Sequence, residues 1–409
     1  MEHALDASWV RAQFPALQRP AVFFDGPAGS QVPTSVADAV RNYLLDSNAN
    51  SHGVFATSIA SDAIVLEARR AARDFVGAAD ENEIVFGANM TTLTFAMART
   101  LARTWQAGDE VIVTQLDHDA NVTPWVRAAA SAGAVVKRAD VRVADATLDL
   151  DALRALIGPR TRLVAVTAAS NGVGTLTPLA DIVAWAHAAG AEVYVDAVHY
   201  APHGRIDVAA WGCDFLACSA YKFFGPHVGI LWGKKARLAE LPVDKVRPAD
   251  DSMPGRFETG TPCHEAIAGV RAAVDYLADL GRHVDPTAGD RRAALDAAYR
   301  AIVLHERKLI ERLLDGLARL TKIRLWGIAD RGRSHERCPT IALTHATLPA
   351  RALAGALAER GIYAWHGNFY ALELSRALGC EPDGMLRLGL LHYNTAAEVD
   401  RCLEALRGL

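Results

Sequence analysis

The feature that most constrains the fold is an alternation of short apolar runs with helical stretches in the middle of the sequence. The apolar runs are 111–116, 163–168, 193–197 and 215–220. Helical patterns, such as those at 151–157 and 179–189, lie between them. Because near-continuous apolar runs are typical of strands buried on both faces, this alternation predicts a parallel α/β sheet. The run 228–233 follows too closely for a crossover helix, so we expect it to pair antiparallel.

The pattern becomes more helical after about residue 260. Helices are predicted there at 264–281, 294–319 and 349–360, and strands at 323–328, 340–345 and 385–393. A further helix is predicted earlier in the chain, at 61–77. The polar stretch 285–292 contains Pro286 and Gly289 and predicts a loop. We therefore expect a large domain over 26–260 and a smaller α+β domain formed by 1–25 together with 261–409.

Composition and charge exclude several classes of protein. Hydrophobic residues make up 51% of the 409 residues and charged residues 22%, which predicts a packed core. The net charge of −4 argues against nucleic acid as a partner, since phosphate binding needs a basic face. We find no apolar run long enough to span a membrane and no signal-peptide pattern, so we expect a cytoplasmic protein. The six cysteines form no C-x-x-C pair, so we expect neither a metal site nor disulfides.

Polar side chains follow each of the four predicted parallel strands. In chain order they are His118, Asn171, Asp196 with His199, and Ser219 with Lys222. Because ligands of parallel α/β sheets bind beyond the carboxyl ends of the strands, we expect these groups to share one edge. Each residue alone is a weak indication, but their convergence is a stronger one.

Lys222 and Asp196 suggest a particular chemistry. An amine at the mouth of a sheet can form a Schiff base with an aldehyde, and a carboxylate can hold a protonated pyridine nitrogen. The alternatives are a solvated surface lysine and a helix-capping aspartate, and spacing alone leaves the two interpretations of Lys222 even.

Several segments together resemble a known family. They are 23–33, 86–96, 117–125, 170–175, 195–203, 219–226, 256–262 and 385–400. In these segments the chain is similar to the class V aminotransferases, which depend on pyridoxal 5′-phosphate (PLP), and most closely to their cysteine desulfurase-like branch. The resemblance implies fold type I: a large domain with a mainly parallel seven-stranded sheet and a small α+β C-terminal domain.

The resemblance assigns roles around the cofactor ring. It implies that Lys222 is the Schiff-base lysine, that Asp196 pairs with the pyridine nitrogen, and that His118 stacks on the ring and takes part in catalysis. Asn171 would contact both cofactor and substrate. His199 stands where the family usually has a glutamine beside the phenolic oxygen.

The resemblance also implies a phosphate site shared between two subunits. Ser219, Thr91 and Met90 would hold the phosphate, although Met90 departs from the usual residue in its segment. Thr261 would reach the phosphate of a neighbouring subunit, which implies a homodimer with composite sites. The family often has histidine at the position of Tyr221, so the phosphate contact made there is altered or lost. Ordinary helix capping and a simple turn are the alternatives for these segments.

The residues expected to contact the substrate differ from those of the cysteine desulfurases. The resemblance implies that Arg387 binds the substrate carboxylate and that His366 and Asn368 lie beside the substrate. The position of the desulfurase cysteine falls at Tyr370, which cannot carry a sulfur atom. Tyr370 is either a general acid or a packed aromatic residue, and Cys380 is a weak substitute for the missing thiol.

The resulting expectation is a PLP enzyme acting on a small amino acid. β-Elimination or C–S cleavage of a cysteine-like substrate is favoured, with transamination and epimerisation as alternatives. Two further alternatives are a non-catalytic relative that binds a partner and a phosphate-binding protein that uses only Thr91 and Thr261.

Overall fold

A computed structural model describes residues 5–409 as a mixture of strands and helices in two sheet-based units. The strands are β1 (Val22–Phe23), β2 (Ile84–Gly87), β3 (Glu110–Thr114), β4 (Val135–Ala139), β5 (Val141–Arg142), β6 (Thr147–Leu148), β7 (Thr161–Thr167), β8 (Glu192–Asp196), β9 (Phe215–Ser219), β10 (Gly229–Gly233), β11 (Ile323–Trp326), β12 (Thr340–His345), β13 (Ile362–Tyr363), β14 (Trp365–Gly367) and β15 (Met385–Gly389).

The helices flank both sheets. They are α1 (Ala7–Ala12), α2 (Thr34–Asp46), α3 (Ala56–Val76), α4 (Met90–Ala102), α5 (Thr123–Ala132), α6 (Leu150–Leu156), α7 (Leu179–Ala188), α8 (Val208–Trp211), α9 (Lys235–Glu240), α10 (His264–Val284), α11 (Arg291–Leu317), α12 (Ala350–Ala358), α13 (Leu372–Ala377) and α14 (Ala396–Arg407).

The large sheet has seven strands in the order β2-β10-β9-β8-β7-β3-β4. Strands β9, β8, β7, β3 and β4 pair in parallel, and β10 pairs antiparallel with both β9 and β2. The expected mainly parallel sheet and the antiparallel run 228–233 are therefore confirmed. The sequence pattern missed β2 and β4, because β2 is short and the edge strand β4 carries Lys137 and Arg138 among its valines.

The central strands are buried on both faces, which explains their continuous apolar sequence. In β7, Leu163 and Ala165 belong to one hydrophobic cluster, and Val164 and Val166 belong to another. Since side chains alternate across a strand, the two clusters lie on opposite faces of the sheet. Polar side chains are consequently confined to the strand ends.

The small sheet is antiparallel, in the order β11-β12-β15-β14. Leucines of α11, α12 and α14 pack in one cluster with residues of this sheet. Strand β1 pairs in parallel with β13, so the N-terminal segment joins this unit. Helix α10 instead packs with α2 and α3 of the large unit. The domain division at residue 260 stays a prediction.

Helices α10 and α11 approach each other closely at Gly281. A Cβ atom built on Gly281 would lie 1.7 Å from the carbonyl oxygen of Ala294, which is backbone and cannot move aside. The turn between the two helices ends at Asp290, whose side chain accepts from the Ala293 N–H as an N-cap. The loop expected at 285–292 thus ends where α11 begins, at Arg291.

Within residues 5–409, no helix is long and apolar enough to cross a membrane, and no cluster of three or more His, Cys, Asp or Glu residues could hold a metal ion.

We expect Gly281→Ala to destabilise the protein by about 1–3 kcal/mol, because the added methyl group must push two packed helices apart. The matched control is Gly355→Ala in α12, where an added Cβ meets no atom within 4 Å. That change should be neutral or stabilising, since alanine favours helix more than glycine. Chemical unfolding of both variants measures the difference, and equal unfolding midpoints would contradict the close crossing.

Candidate active site

One cavity of about 900 Å³ lies at the carboxyl ends of the central parallel strands, and the segment 365–370 and Arg387 of the small unit line it too. It brings together twelve residues singled out in the sequence: Met90, Thr91, His118, Asn171, Asp196, His199, Ser219, Lys222, His366, Asn368, Tyr370 and Arg387. Thr261 does not line this cavity and is exposed.

Lys222 lies in a short 3₁₀ turn directly after β9. Its Nζ donates to the carbonyl oxygen of Pro27. Burial lowers the pKa of Lys222 to about 7; the positive charge of Arg387 acts in the same direction, and Asp196 opposes it. A large share of the amine is therefore uncharged and nucleophilic at neutral pH.

Asp196 ends β8 and is 3% exposed. One carboxylate oxygen accepts from the Val198 N–H at 2.8 Å, and the residue forms no salt bridge with the described chain. Burial raises the pKa of Asp196 to about 6, although the Lys222 charge works against this. A buried carboxylate without a cationic partner is suited to receive a protonated nitrogen.

His118 follows β3 and caps a short 3₁₀ turn. Its Nδ1 accepts from the Ala120 N–H at 3.0 Å, so Nε2 carries the proton of the neutral ring. Burial lowers the pKa of His118 to about 4, which keeps the ring neutral. The imidazole stacks against Tyr370 with ring centroids 5.4 Å apart.

Asn171 and Arg387 meet at the junction of the two units. Arg387 donates to the carbonyl oxygen of Asn171 at 2.8 Å, and its guanidinium lies 4.3 Å from the ring centroid of Phe369. Burial lowers the pKa of Arg387 to about 9, with Asp25 acting in the opposite direction. Since Arg387 is buried and forms no salt bridge with residues 5–409, it is suited to bind a carboxylate from outside the chain.

The N-terminus of α4 forms another wall of the cavity. The Asn89 side chain caps the helix by accepting from the Thr92 N–H, and the Met90 N–H donates to Ser219 Oγ at 3.0 Å. Thr91 is exposed beside them. A helix N-terminus with nearby hydroxyls is a favourable place for a phosphate group.

The segment that carries Tyr370 is held in an unusual conformation. Phe369 and Tyr370 both have φ near +58°, in the left-handed region that non-glycine residues rarely adopt. Asn171 Nδ2 donates to the carbonyl oxygen of Phe369, and the Asp119 N–H donates to that of Tyr370. Tyr370 is 73% exposed, so it is not a packed core residue and stands at the cavity mouth.

No cysteine lines the cavity. Cys380 is buried, and its Sγ lies 3.8 Å from the carbonyl oxygen of Leu378. Burial also raises the pKa of Cys380. A buried thiol outside the cavity is poorly placed to receive sulfur from a substrate.

Sequence reasoning missed other residues of this cavity. His227 lines it and stacks on Tyr221 with ring centroids 4.8 Å apart. Trp365 and Phe369 also line it. His227 directly follows the segment 219–226, and Trp365 and Phe369 flank His366 and Asn368, so their closeness in sequence to residues already singled out could have identified them.

Comparisons with known proteins agree with this geometry. Residues 22–402 match the family model described as Aminotransferase class-V. The chain is 34% identical to the aminotransferase-like protein FGM3 of Gibberella zeae, over 97% of this chain and 96% of that protein. It is 33% identical to a cysteine desulfurase of Dickeya dadantii, over 97% of this chain and 95% of that protein.

Solved structures show the same fold. The cysteine desulfurase CsdA of Escherichia coli aligns with a TM-score of 0.84 at 29% identity, covering 98% of both chains. A cysteine desulfurase of Thermococcus onnurineus NA1 aligns with a TM-score of 0.88 at 26% identity, covering 98% of this chain and 97% of that chain. These similarities confirm the resemblance and the fold type I architecture expected from the motifs.

We expect the amine of Lys222 to titrate near pH 7 in cofactor-free protein, because burial and Arg387 lower its pKa. The measurement is the pH dependence of labelling by an amine-reactive reagent, read for each lysine by peptide mass spectrometry. Lys235 is the internal control: Asp80 raises its pKa, so its labelling should increase only at much higher pH. Coinciding midpoints for the two lysines contradict this description of the cavity.

Proposed function

Because the chain belongs to the class V aminotransferase family, we propose that it is a cysteine desulfurase-like enzyme that removes a sulfur substituent from a small amino acid by β-elimination. Enzymes of this family depend on PLP. The observation that carries the proposal is the cavity itself, in which the amine of Lys222 lies near Asp196 and Arg387 and no thiol is present.

The residues of the cavity fit PLP. Asp196 is a buried carboxylate without a cationic partner, and Asn171 Oδ1 is buried without a hydrogen-bond partner in the described chain. Lys222 would bind the aldehyde carbon, Asp196 the pyridine nitrogen and His118 the ring face, with Asn171 and His199 at its edge. Ser219, Thr91 and Met90 would hold the phosphate. When bound, PLP supplies a ring that stabilises negative charge at the substrate Cα.

The chain's own groups supply binding and proton transfer. Arg387 would hold the substrate carboxylate through its two parallel N–H groups, with His366 and Asn368 beside the substrate. The uncharged amine of Lys222 would remove the Cα proton, for which a pKa near 7 is well matched to neutral pH. The Tyr370 hydroxyl, at the cavity mouth, would donate a proton to the departing sulfur.

The missing thiol decides the fate of the sulfur. Transfer to the enzyme needs a cysteine in the cavity, and Tyr370 occupies the segment where the desulfurases are expected to have one. We therefore expect release of the sulfur as sulfide. The overall reaction of cysteine with water then yields pyruvate, ammonia and hydrogen sulfide, and it needs no oxidant or reductant.

The test is incubation of PLP-loaded protein with cysteine, cystine or alanine, with and without a keto acid. Pyruvate and sulfide in equal amounts from cysteine, absent with Lys222→Ala and retained with the surface control Lys235→Ala, support the proposal. Exchange of the amino group with the keto acid would indicate transamination instead, and loss of optical activity alone would indicate epimerisation. No turnover of any of these substrates, or no uptake of PLP, contradicts the proposal and favours a non-catalytic binding protein.

We also infer that the protein acts as a homodimer, with the cytoplasm as its expected location. The stretch 44–59 exposes several large apolar side chains, and Val54 is 96% exposed, whereas soluble monomers rarely leave such groups uncovered together. Thr261 is exposed and lies outside its own subunit's cavity. Both observations support the expectation that Thr261 serves the phosphate site of a second copy.

We expect Phe55→Asp to weaken self-association by about tenfold or more, because it buries a charge in an apolar contact. The control is Val143→Asp, since Val143 is 50% exposed but lies outside the 44–59 stretch. Sedimentation equilibrium measures both variants. A wild-type monomer, or equal association of the two variants, contradicts the dimer.

A further inference from the structure

Two buried side chains meet where the large and small units touch. His199 follows β8 of the large sheet, and Thr340 begins β12 of the small sheet. His199 Nε2 lies 3.0 Å from Thr340 Oγ1. His199 is 3% exposed and Thr340 is fully buried, so solvent cannot satisfy the hydroxyl.

The surroundings set the direction of this hydrogen bond. The Thr340 hydroxyl carries one proton, and within residues 5–409 its only hydrogen-bond partner is His199 Nε2. A buried hydroxyl that does not donate loses free energy, so the hydroxyl donates and Nε2 accepts. Burial lowers the pKa of His199 well below its ordinary value, and the nearby charges of His203, Arg387 and Lys222 act in the same direction. The ring is therefore neutral, with its single proton on Nδ1.

The proton on Nδ1 is available to a ligand. His199 lines the cavity together with Asp196 and Lys222, and Nδ1 makes no hydrogen bond with the described part of the chain. We propose that Thr340 is a positioning residue, which fixes His199 as an Nδ1–H donor to an anionic oxygen of the bound cofactor. This inference rests on the proposed PLP function, and it assigns to Thr340 a role that no sequence motif indicated.

The His199–Thr340 hydrogen bond also makes the orientation of His199 depend on how the small unit packs against the large unit. Arg337 is buried, at 6% exposed, and its Nη2 donates to the carbonyl oxygens of Thr340 and Val173. Val173 lies two residues after Asn171, on the loop of the large unit that lines the cavity. Arg337 therefore holds Thr340 against the same loop, and the small unit sets the tautomer of a histidine in the large one.

The test compares Thr340→Val, which removes the hydroxyl at nearly constant shape, with Thr340→Ser, which keeps it. The first readout is the ¹⁵N chemical shift of both His199 ring nitrogens in full-length protein labelled at histidine. Wild type and Thr340→Ser should show a protonated Nδ1 and an accepting Nε2. Thr340→Val should show a mixture of tautomers, while circular dichroism confirms that it is folded.

The second readout is the pH titration of the absorption band of bound PLP. An N–H donor stabilises the more negative state of the cofactor, so Thr340→Val should raise the midpoint by about 0.5–1 pH unit. The titratable groups near His199 are Asp196, Lys222 and Arg387, which line the same cavity, and His203, whose ring centroid lies 5.2 Å from that of His199. All of them are unchanged in both variants, so the serine variant controls for them.

The two readouts separate this inference from the proposed function. If wild type takes up no PLP, the proposed function fails, and the nitrogen shifts alone still decide the tautomer. If Thr340→Val keeps the wild-type nitrogen shifts, Thr340 does not fix the tautomer. If those shifts change and the titration of bound PLP does not, His199 does not donate to the cofactor. Either of these last two results overturns the proposal.

Discussion

The placement of two buried charged groups, Asp196 and Arg387, without direct ion pairs is the constraint on which the rest of the site depends. Asp196 and Arg387 are almost fully buried, yet neither forms a salt bridge with the described chain, and the half-buried Lys222 beside them has a lowered pKa. Burial of unpaired charge is costly, so the fold must supply rigid surroundings that prevent these groups from collapsing onto one another. The strand ends of the large sheet and the β15 strand of the small sheet supply them.

The junction of the two units completes the site. Arg387 and the segment that carries Tyr370 come from the small unit, whereas Lys222, Asp196 and His118 come from the large one. Hydrogen bonds from the Asp119 backbone N–H and from the Asn171 side-chain amide hold that segment in its left-handed conformation. A displacement of the small unit would therefore alter the substrate side of the cavity and remove the Thr340 contact to His199, while Lys222, Asp196 and His118 would stay in place.

The sequence predicted which residues come together in the cavity better than it predicted their conformations. Strand ends of a parallel sheet necessarily meet, so His118, Asn171, Asp196 and Lys222 could be grouped from the pattern of apolar runs. The exposure of Tyr370 depends instead on a backbone conformation that no residue type at that position signals. Similarly, the His199–Thr340 contact joins residues 141 positions apart, and a local pattern carries no information about such a pair.

The central claim is that Lys222 is the residue that binds PLP covalently. Incubation of the purified protein with PLP, reduction with borohydride and peptide mass mapping test it directly. We expect a pyridoxyl group on the peptide that contains Lys222 and on no other lysine, with the modification lost in Lys222→Ala. A modification distributed over surface lysines, or unchanged labelling of the Lys222→Ala protein, would contradict the account.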